Sequence, residues 1–230
     1  LLHQPSQGAL IIMEGKQRVF LVHFLKKWKY LDFCLPELES LALMFGVNSK
    51  ALYHPKSPME SIDIKKSPCF YINLPSEAVA KQIVSRSILI KEIINVLSQS
   101  EGSYDDLISN VDKAALAQVL EERKRFRFII EGVGKKIRHE HQVELIEKFK
   151  ELPFDQNLVD LVNYEQAFKI IDVSGHDSLY FGNIIANCRP NEHVDDTFYM
   201  RYSLKQRPYL GPTSTDHELA LLMANQGMVQ

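Results

Sequence analysis

Two periods alternate along this chain. From Lys124 to Ile130 (Lys-Arg-Phe-Arg-Phe-Ile-Ile) polar and apolar residues alternate, as in a half-buried strand. From Pro36 to Phe45 the apolar residues Leu38, Leu41, Ala42 and Phe45 fall at the i, i+3, i+4, i+7 spacing of one helical stripe. The second segment carries its own punctuation, with proline at its start, Glu37 in the first turn and Gly46 just past its end. Lys16 to Leu25, rich in β-formers, reads as a first strand. Pro55, Pro58 and Pro68 mark residues 54–68 as loop, and Cys69 to Leu74 reads as the next strand. Pro75-Ser76-Glu77 opens a helix through about Ser85, and Ile88 to Leu97 returns as a strand. The stretch 101–122 predicts one or two amphipathic helices. His139 to Leu152 predicts another, with Val143, Ile146 and Phe149 on its stripe and Pro153 stopping it. Strands follow near Gln166–Val173 and Ser178–Ala186, then a loop from Asn187 to Asp196. Thr215-Asp216-His217-Glu218 starts a last helix that closes at Gly227. Strand–helix–strand spacing of this kind predicts an α+β fold, with mixed sheets covered by helices and two small lobes.

Composition narrows the classes without choosing among them. Apolar residues are 45% and charged residues 24% of 230, ordinary for a globular chain with a real core. The net charge of −2 provides no global attraction to a polyanion, so any nucleic-acid site has to come from local clustering. Cys34, Cys69 and Cys188 stand far apart, which predicts buried or free thiols and disfavours a zinc or disulfide framework. No apolar run approaches the roughly 18 residues that span a bilayer, and a cytoplasmic protein is expected. Residues 1–12 show neither a basic n-region nor a small-residue cleavage site and read as a lead-in.

Charge is distributed unevenly. The acidic stretch 101–122 is followed by Arg123, Lys124, Arg125, Arg127, Lys135, Lys136 and Arg138 against one acid, Glu131. Alternation sets Lys124 and one group of side chains on one face, with Phe126 and Phe128 on the other as core. This run fits either an RNA-holding patch or a solvated basic face balanced by the acidic stretch. Gly132-Val-Gly134-Lys135-Lys136 lacks the spacing of a phosphate loop and the third glycine of a dinucleotide fingerprint. A tight strand-to-helix connection accounts for both glycines, and the helix N-terminus beyond them adds a modest anion site. His139 and His141, two apart on a helix, point about 200° from each other and cannot share a metal. His176-Asp177 reads as a surface turn. No nucleophile elbow or HExxH helix is present, so no catalytic residue is assigned.

The C-terminal segment is more specific. Tyr202-Ser-Leu-Lys205-Gln-Arg207, Leu210-Gly-Pro-Thr213, Asp216-His-Glu218 and Met223-Ala-Asn225 resemble the segment before the catalytic core in eukaryotic tRNA guanosine N2-methyltransferases. These enzymes act on the guanosine at position ten of tRNA. Pro36-Glu-Leu-Glu-Ser-Leu41, Ser67-Pro-Cys-Phe70, Leu74-Pro-Ser-Glu77, Ser85-Arg-Ser-Ile-Leu-Ile-Lys91, Leu152-Pro-Phe154 and Tyr180-Phe-Gly182 are similar to the same family in register. The resemblance implies a ferredoxin-like N-terminal portion over 13–100 and a THUMP-like RNA-binding domain over 101–190. Residues 191–230 would be a linker and first helix leading to a methyltransferase domain absent from this chain. It implies RNA contacts at Lys124, Arg125, Arg127, Lys135, Lys136 and Arg138, with Lys205 and Arg207. It also implies S-adenosylmethionine as cofactor of the full-length parent and none for these residues alone, with Pro212, Thr213 and Ser214 beside the cofactor's methionine end. The implied partners are tRNA and a small zinc-binding activator subunit held through the absent domain, and no membrane. Two departures stand out: Asn183 replaces a basic residue common after Tyr-Phe-Gly, and the usual Lys and Pro are absent around 159–163. The alternative is a protein-interaction module of the same complex that touches no RNA.

Overall fold

The computed structural model describes residues 17–173, 178–189 and 197–229. The lead-in at 1–12, His176-Asp177 and most of the 187–196 loop lie outside them. Six strands form one mixed sheet: β1 (Arg18–Phe24), β2 (Cys69–Leu74), β3 (Ile90–Glu101), β4 (Phe126–Val133), β5 (Gln166–Val173) and β6 (Ser178–Asn187). Their spatial order is β2-β1-β3-β6-β5-β4, antiparallel throughout except for the parallel β4–β5 pair. The division expected near residue 100 falls inside this sheet, where β3 and β6 pair from Glu92–Asn187 to Glu101–Ser178. One continuous sheet therefore serves both halves in place of two separate lobes.

Seven α-helices accompany it among the described residues: α1 (Cys34–Met44), α2 (Ser49–Leu52), α3 (Glu77–Arg86), α4 (Tyr104–Ser109), α5 (Lys113–Leu120), α6 (His139–Lys148) and α7 (His217–Gln226). Several begin where side chains satisfy orphan N–H groups. Ser76 accepts from Val79, Ser103 from Asp106, Asp112 from Ala114 and Ala115, and Asp216 from Glu218 and Leu219. Strand alternation turns Phe20, Val22, Phe24, Phe70, Ile72 and Leu74 toward α1, α3 and α7 in a first core. Phe126, Phe168, Ile170, Leu179 and Phe181 turn toward α4, α5 and α6 in a second. The same alternation sends Leu21, Tyr71, Ile94, Ile171 and Val173 to the opposite face, where they too are buried.

Helix α6 departs from its expected stripe. Leu145 and Phe149 enter the core with Ile146 partly buried, whereas Val143 is 45% exposed. Leu145 and Phe149 are one helical turn apart, and seating that pair rotates Val143 outward. Helix α7 returns to the first core through Leu222, and Asn225 fixes it there. Its Nδ2 donates to Glu37 Oε1 at 2.8 Å and to the Arg86 carbonyl at 3.0 Å, while Arg86 Nε donates to its Oδ1 at 2.9 Å. The three cysteines are free and buried, as their spacing implied.

Candidate nucleic-acid interface

The basic run occupies both ends of β4 and the turn into α6. Phe126 is buried, and Phe128 packs with Phe149, Phe154, Phe168 and Phe181, so these aromatics are core and not stacking platforms. The glycines behave as the connection requires. Gly134 has φ +81, in the left-handed region, and a Cβ on Gly132 would sit 2.5 Å from the Lys135 carbonyl oxygen.

The expected compact patch is divided. Lys124 and Arg125 precede β4, and Lys135, Lys136 and Arg138 follow it. Eight strand residues at about 3.3 Å each hold the two groups about 25 Å apart. Most of these cations are neutralised by carboxylates that come from later or neighbouring segments. Arg123 meets Asp155 at 3.0 Å, and Lys124 pairs with Glu122. Arg125 faces Asp160 at 3.4 Å and Glu165 at 3.7 Å, and Lys135 meets Asp172 at 2.7 Å. Arg127 lies over the Tyr164 ring, 4.2 Å from its centroid. Lys124 shares the helix-covered side with Phe126, since both line a small cleft with Pro153, Leu158 and Gln166. That corrects the face assigned to it: the two residues are two positions apart, and a period of two puts them on the same side.

Lys136 and Arg138 differ from the others. Both are exposed, and neither makes an ion pair among the described residues. They flank the first turn of α6, whose N-cap position, Arg138, supplies no side-chain acceptor to the helix. Two exposed cations therefore stand beside partly unsatisfied N–H groups, an arrangement that favours an anion. Lys205 and Arg207 are likewise exposed without an ion pair among the described residues. Their segment follows Phe198–Tyr202, which packs on the first core, whereas Lys136 and Arg138 belong to the second. Pro212, Thr213 and Ser214 form an open turn: Pro212 and Thr213 are exposed, and Ser214 Oγ donates to the Gly211 carbonyl at 3.0 Å. By itself this turn does not enclose a cofactor.

A buried charge cluster, which the sequence patterns do not single out, crosses the face opposite the helices. His23 Nδ1 lies 2.7 Å from Glu92 Oε1, the Lys169 ammonium contacts both Glu92 and Glu131, and Lys91 Nζ donates to Glu131 Oε1 at 2.6 Å. Glu92 and Lys169 are 0% and 2% exposed, so each depends on the other for its charge. Burial alone would raise the Glu92 carboxyl, but Lys169 and His23 outweigh it and hold the group well below the usual carboxylate range. Glu131 is lowered against its burial by Lys169, His23 and Lys91. Burial would depress the Lys169 ammonium, and the two carboxylates raise it instead. His23, Glu92 and Glu131 have the donor set for a cation, and the Lys169 ammonium takes that position.

A family model described as the Tmrp11 THUMP N-terminal domain matches residues 18–181. The chain belongs to this family. Among curated relatives, the tRNA (guanine(10)-N(2))-methyltransferase TRMT11 of Dictyostelium discoideum is 28% identical over 235 residues, covering 92% of this chain and 45% of that protein. The human TRMT11 enzyme is 27% identical over 216 residues, covering 88% and 43%. The chain thus spans less than half the length of the curated relatives it matches. Among solved structures, PH1313 from Pyrococcus horikoshii aligns with a TM-score of 0.44 at 14% identity, covering 73% of this chain and 54% of that one. Among the described residues no helix is long and apolar enough to cross a membrane.

Proposed function

We propose that this chain is the tRNA-binding N-terminal half of an S-adenosylmethionine-dependent tRNA guanosine N2-methyltransferase. It holds tRNA so that the guanosine at position ten reaches a catalytic domain outside these 230 residues. The family match carries the reading. The exposed cations Lys136 and Arg138 at the start of α6 supply the local chemistry, with Lys205 and Arg207 as a second contact. Methyl transfer, the cofactor and the zinc-binding activator subunit belong to that other domain, and the compartment is the cytoplasm. Lys124, Arg125 and Lys135 act here mainly within the protein, because each already has a carboxylate partner.

Phosphate neutralisation releases counterions, so tRNA affinity should fall with salt at a log–log slope of about −0.7 per neutralised phosphate. The Lys136→Glu/Arg138→Glu double variant should weaken binding, with little change in melting temperature. It should also flatten that slope by about 0.7 for every phosphate no longer neutralised. Wild-type affinity and slope in the variant would refute this placement.

A second reading draws on one observation. Leu161 and Val162 are 69% and 81% exposed at the tip of the loop beside Arg125, an apolar pair suited to a protein partner. Binding that ignores salt and is abolished by Leu161→Asp would favour it.

A further inference from the structure

Where the two cores meet on the helix-covered face, a cleft of about 480 Å³ opens between α3 and α5. Its floor is formed by Asn95 of β3 and Asn183 of β6, partners across adjacent strands, with Asn95 Nδ2 donating to Asn183 Oδ1 at 3.2 Å. Gln118 of α5 and Gln166 at the start of β5 also line it. Each carboxamide offers two donors and an acceptor oxygen without carrying charge. The one bond between the asparagines leaves Asn95 Oδ1 and Asn183 Nδ2 with no other hydrogen bond among the described residues. Gln166 Nε2 is closed off from solvent and has no hydrogen-bond partner among the described residues.

The rim is electrically balanced. Arg18 pairs with Glu77 at 3.0 Å, and Lys124 pairs with Glu122. It has little to draw in a phosphate and suits a neutral polar ligand. The floor is also preformed. Gly182 lets β6 approach β3, since a Cβ there would lie 2.2 Å from the Asn95 carbonyl oxygen. Register shifts at Ile93/Ile94 and Val96/Ser98 flank the asparagine pair, bulges that re-aim side chains at binding sites.

We propose that this cleft takes a single nucleobase displayed by an unpaired stretch of RNA. Asn95, Asn183 and Gln118 would read the base's hydrogen-bonding edge, with Val119 and Ile185 supplying apolar walls. A carboxamide presents a donor beside an acceptor, the complement of the edge that an unstacked base exposes. The inference rests on the RNA-binding reading above and adds to it a site that is separate from the phosphate-binding cations and insensitive to salt.

The test uses the 230-residue chain with four probes: whole tRNA, a short unstructured RNA strand, a duplex of the same length, and free nucleoside monophosphates. The unpaired strand should bind better than the duplex. Asn183→Leu should lower its affinity roughly tenfold, the order expected when one base-edge hydrogen-bond pair is removed. The slope of log affinity against log salt should stay at the wild-type value, because no phosphate contact is removed. Gln118→Ala, on the exposed surface of α5, should weaken the same strand without touching the fold, and it decides the matter should Asn183→Leu misfold. Wild-type affinity in both variants, with tRNA still bound, overturns the cleft and leaves the RNA-binding reading standing. Tight binding of a nucleoside monophosphate that disappears in Asn183→Leu overturns RNA as the source of the base. Failure of the wild-type chain to bind tRNA or the strand overturns both readings.

Discussion

Lys169→Met removes the one cation shared by the buried Glu92 and the partly exposed Glu131 while keeping most of the length and the apolar stem of the side chain. Glu92, 0% exposed, would retain only His23, and Glu131 only Lys91. Breaking a buried pair by deleting one partner costs about 3–5 kcal/mol, because the surviving charge is left in a medium that solvates it poorly. In a chain of this size each kcal/mol moves the melting temperature by about 2–4 °C, so a fall of about 6–20 °C is expected at neutral pH. The pH dependence has a definite sign. In the wild type Glu92 and Glu131 are held below their unfolded values. Their stabilisation is therefore present above the unfolded carboxylate range, near pH 4.3, and lost as pH falls through the folded values. In the variant the lowering influence of Lys169 is gone while burial, which raises the group, remains. The folded chain then binds a proton that the unfolded chain releases, so the penalty should shrink as pH falls from 7 toward 5. Urea denaturation across that range, with Lys169→Met/Glu92→Gln as the compensated control, measures both effects. A melting temperature within about 3 °C of wild type, or a penalty that grows on acidification, would refute the role given to Lys169.

Phe168 is fully buried and meets the rings of Phe126, Phe154 and Phe181 at centroid distances of 5.5, 4.9 and 6.1 Å, so Phe168→Ala should cost about 3–5 kcal/mol by chemical denaturation. A loss under about 1 kcal/mol would mean the second core collapses onto the vacancy. Asn225→Leu removes two donors and an acceptor from the junction of α1, α3 and α7, leaving Glu37 and Arg86 short of partners, at about 1–3 kcal/mol for each group left buried and unsatisfied. Hydrogen exchange in α7 should rise well before the sheet opens, and unchanged protection there would show that Leu222 alone holds the helix.

Periodicity carried the local elements well. Strands β2 and β5 begin and end where the pattern put them, because both are short runs bounded by turn residues and packed on both faces. The joining of all strands into one sheet was not legible. The β3–β6 pairing links residues nearly 90 positions apart, and no local pattern encodes it. The same distance concealed the buried cluster. Lys169 inside Phe168-Lys-Ile170 and Glu92 inside Ile90-Lys-Glu-Ile93 are charges within apolar strands, a sign of pairing, but their meeting depends on the order β3-β6-β5-β4. The four carboxamides of the cleft come from four separate segments and left no compact motif.

The basic run shows why counting charges along a chain overstates a binding surface. Asp155, Asp160, Glu165 and Asp172 arrive 30 or more residues later and fold back onto the cations of 123–135. These pairs tie the 155–165 segment and β5 to the ends of β4, and Lys148 bridges α6 to Asp105 of α4 in the same way at 2.6 Å. The exposed ones among these pairs contribute little each, about 0–1 kcal/mol, and all of them reduce the field available to an approaching polyanion. With a net charge of −2, long-range attraction of a polyanion is weak, so the proposed affinity for RNA would have to come from short-range contacts. On the proposed function Lys136 and Arg138 supply them, because neither has a carboxylate partner among the described residues, unlike Lys135 and Arg125. Charge reversal at Lys124, Arg125 or Lys135 is then expected to act on the internal pairing, and charge reversal at Lys136 or Arg138 on RNA binding.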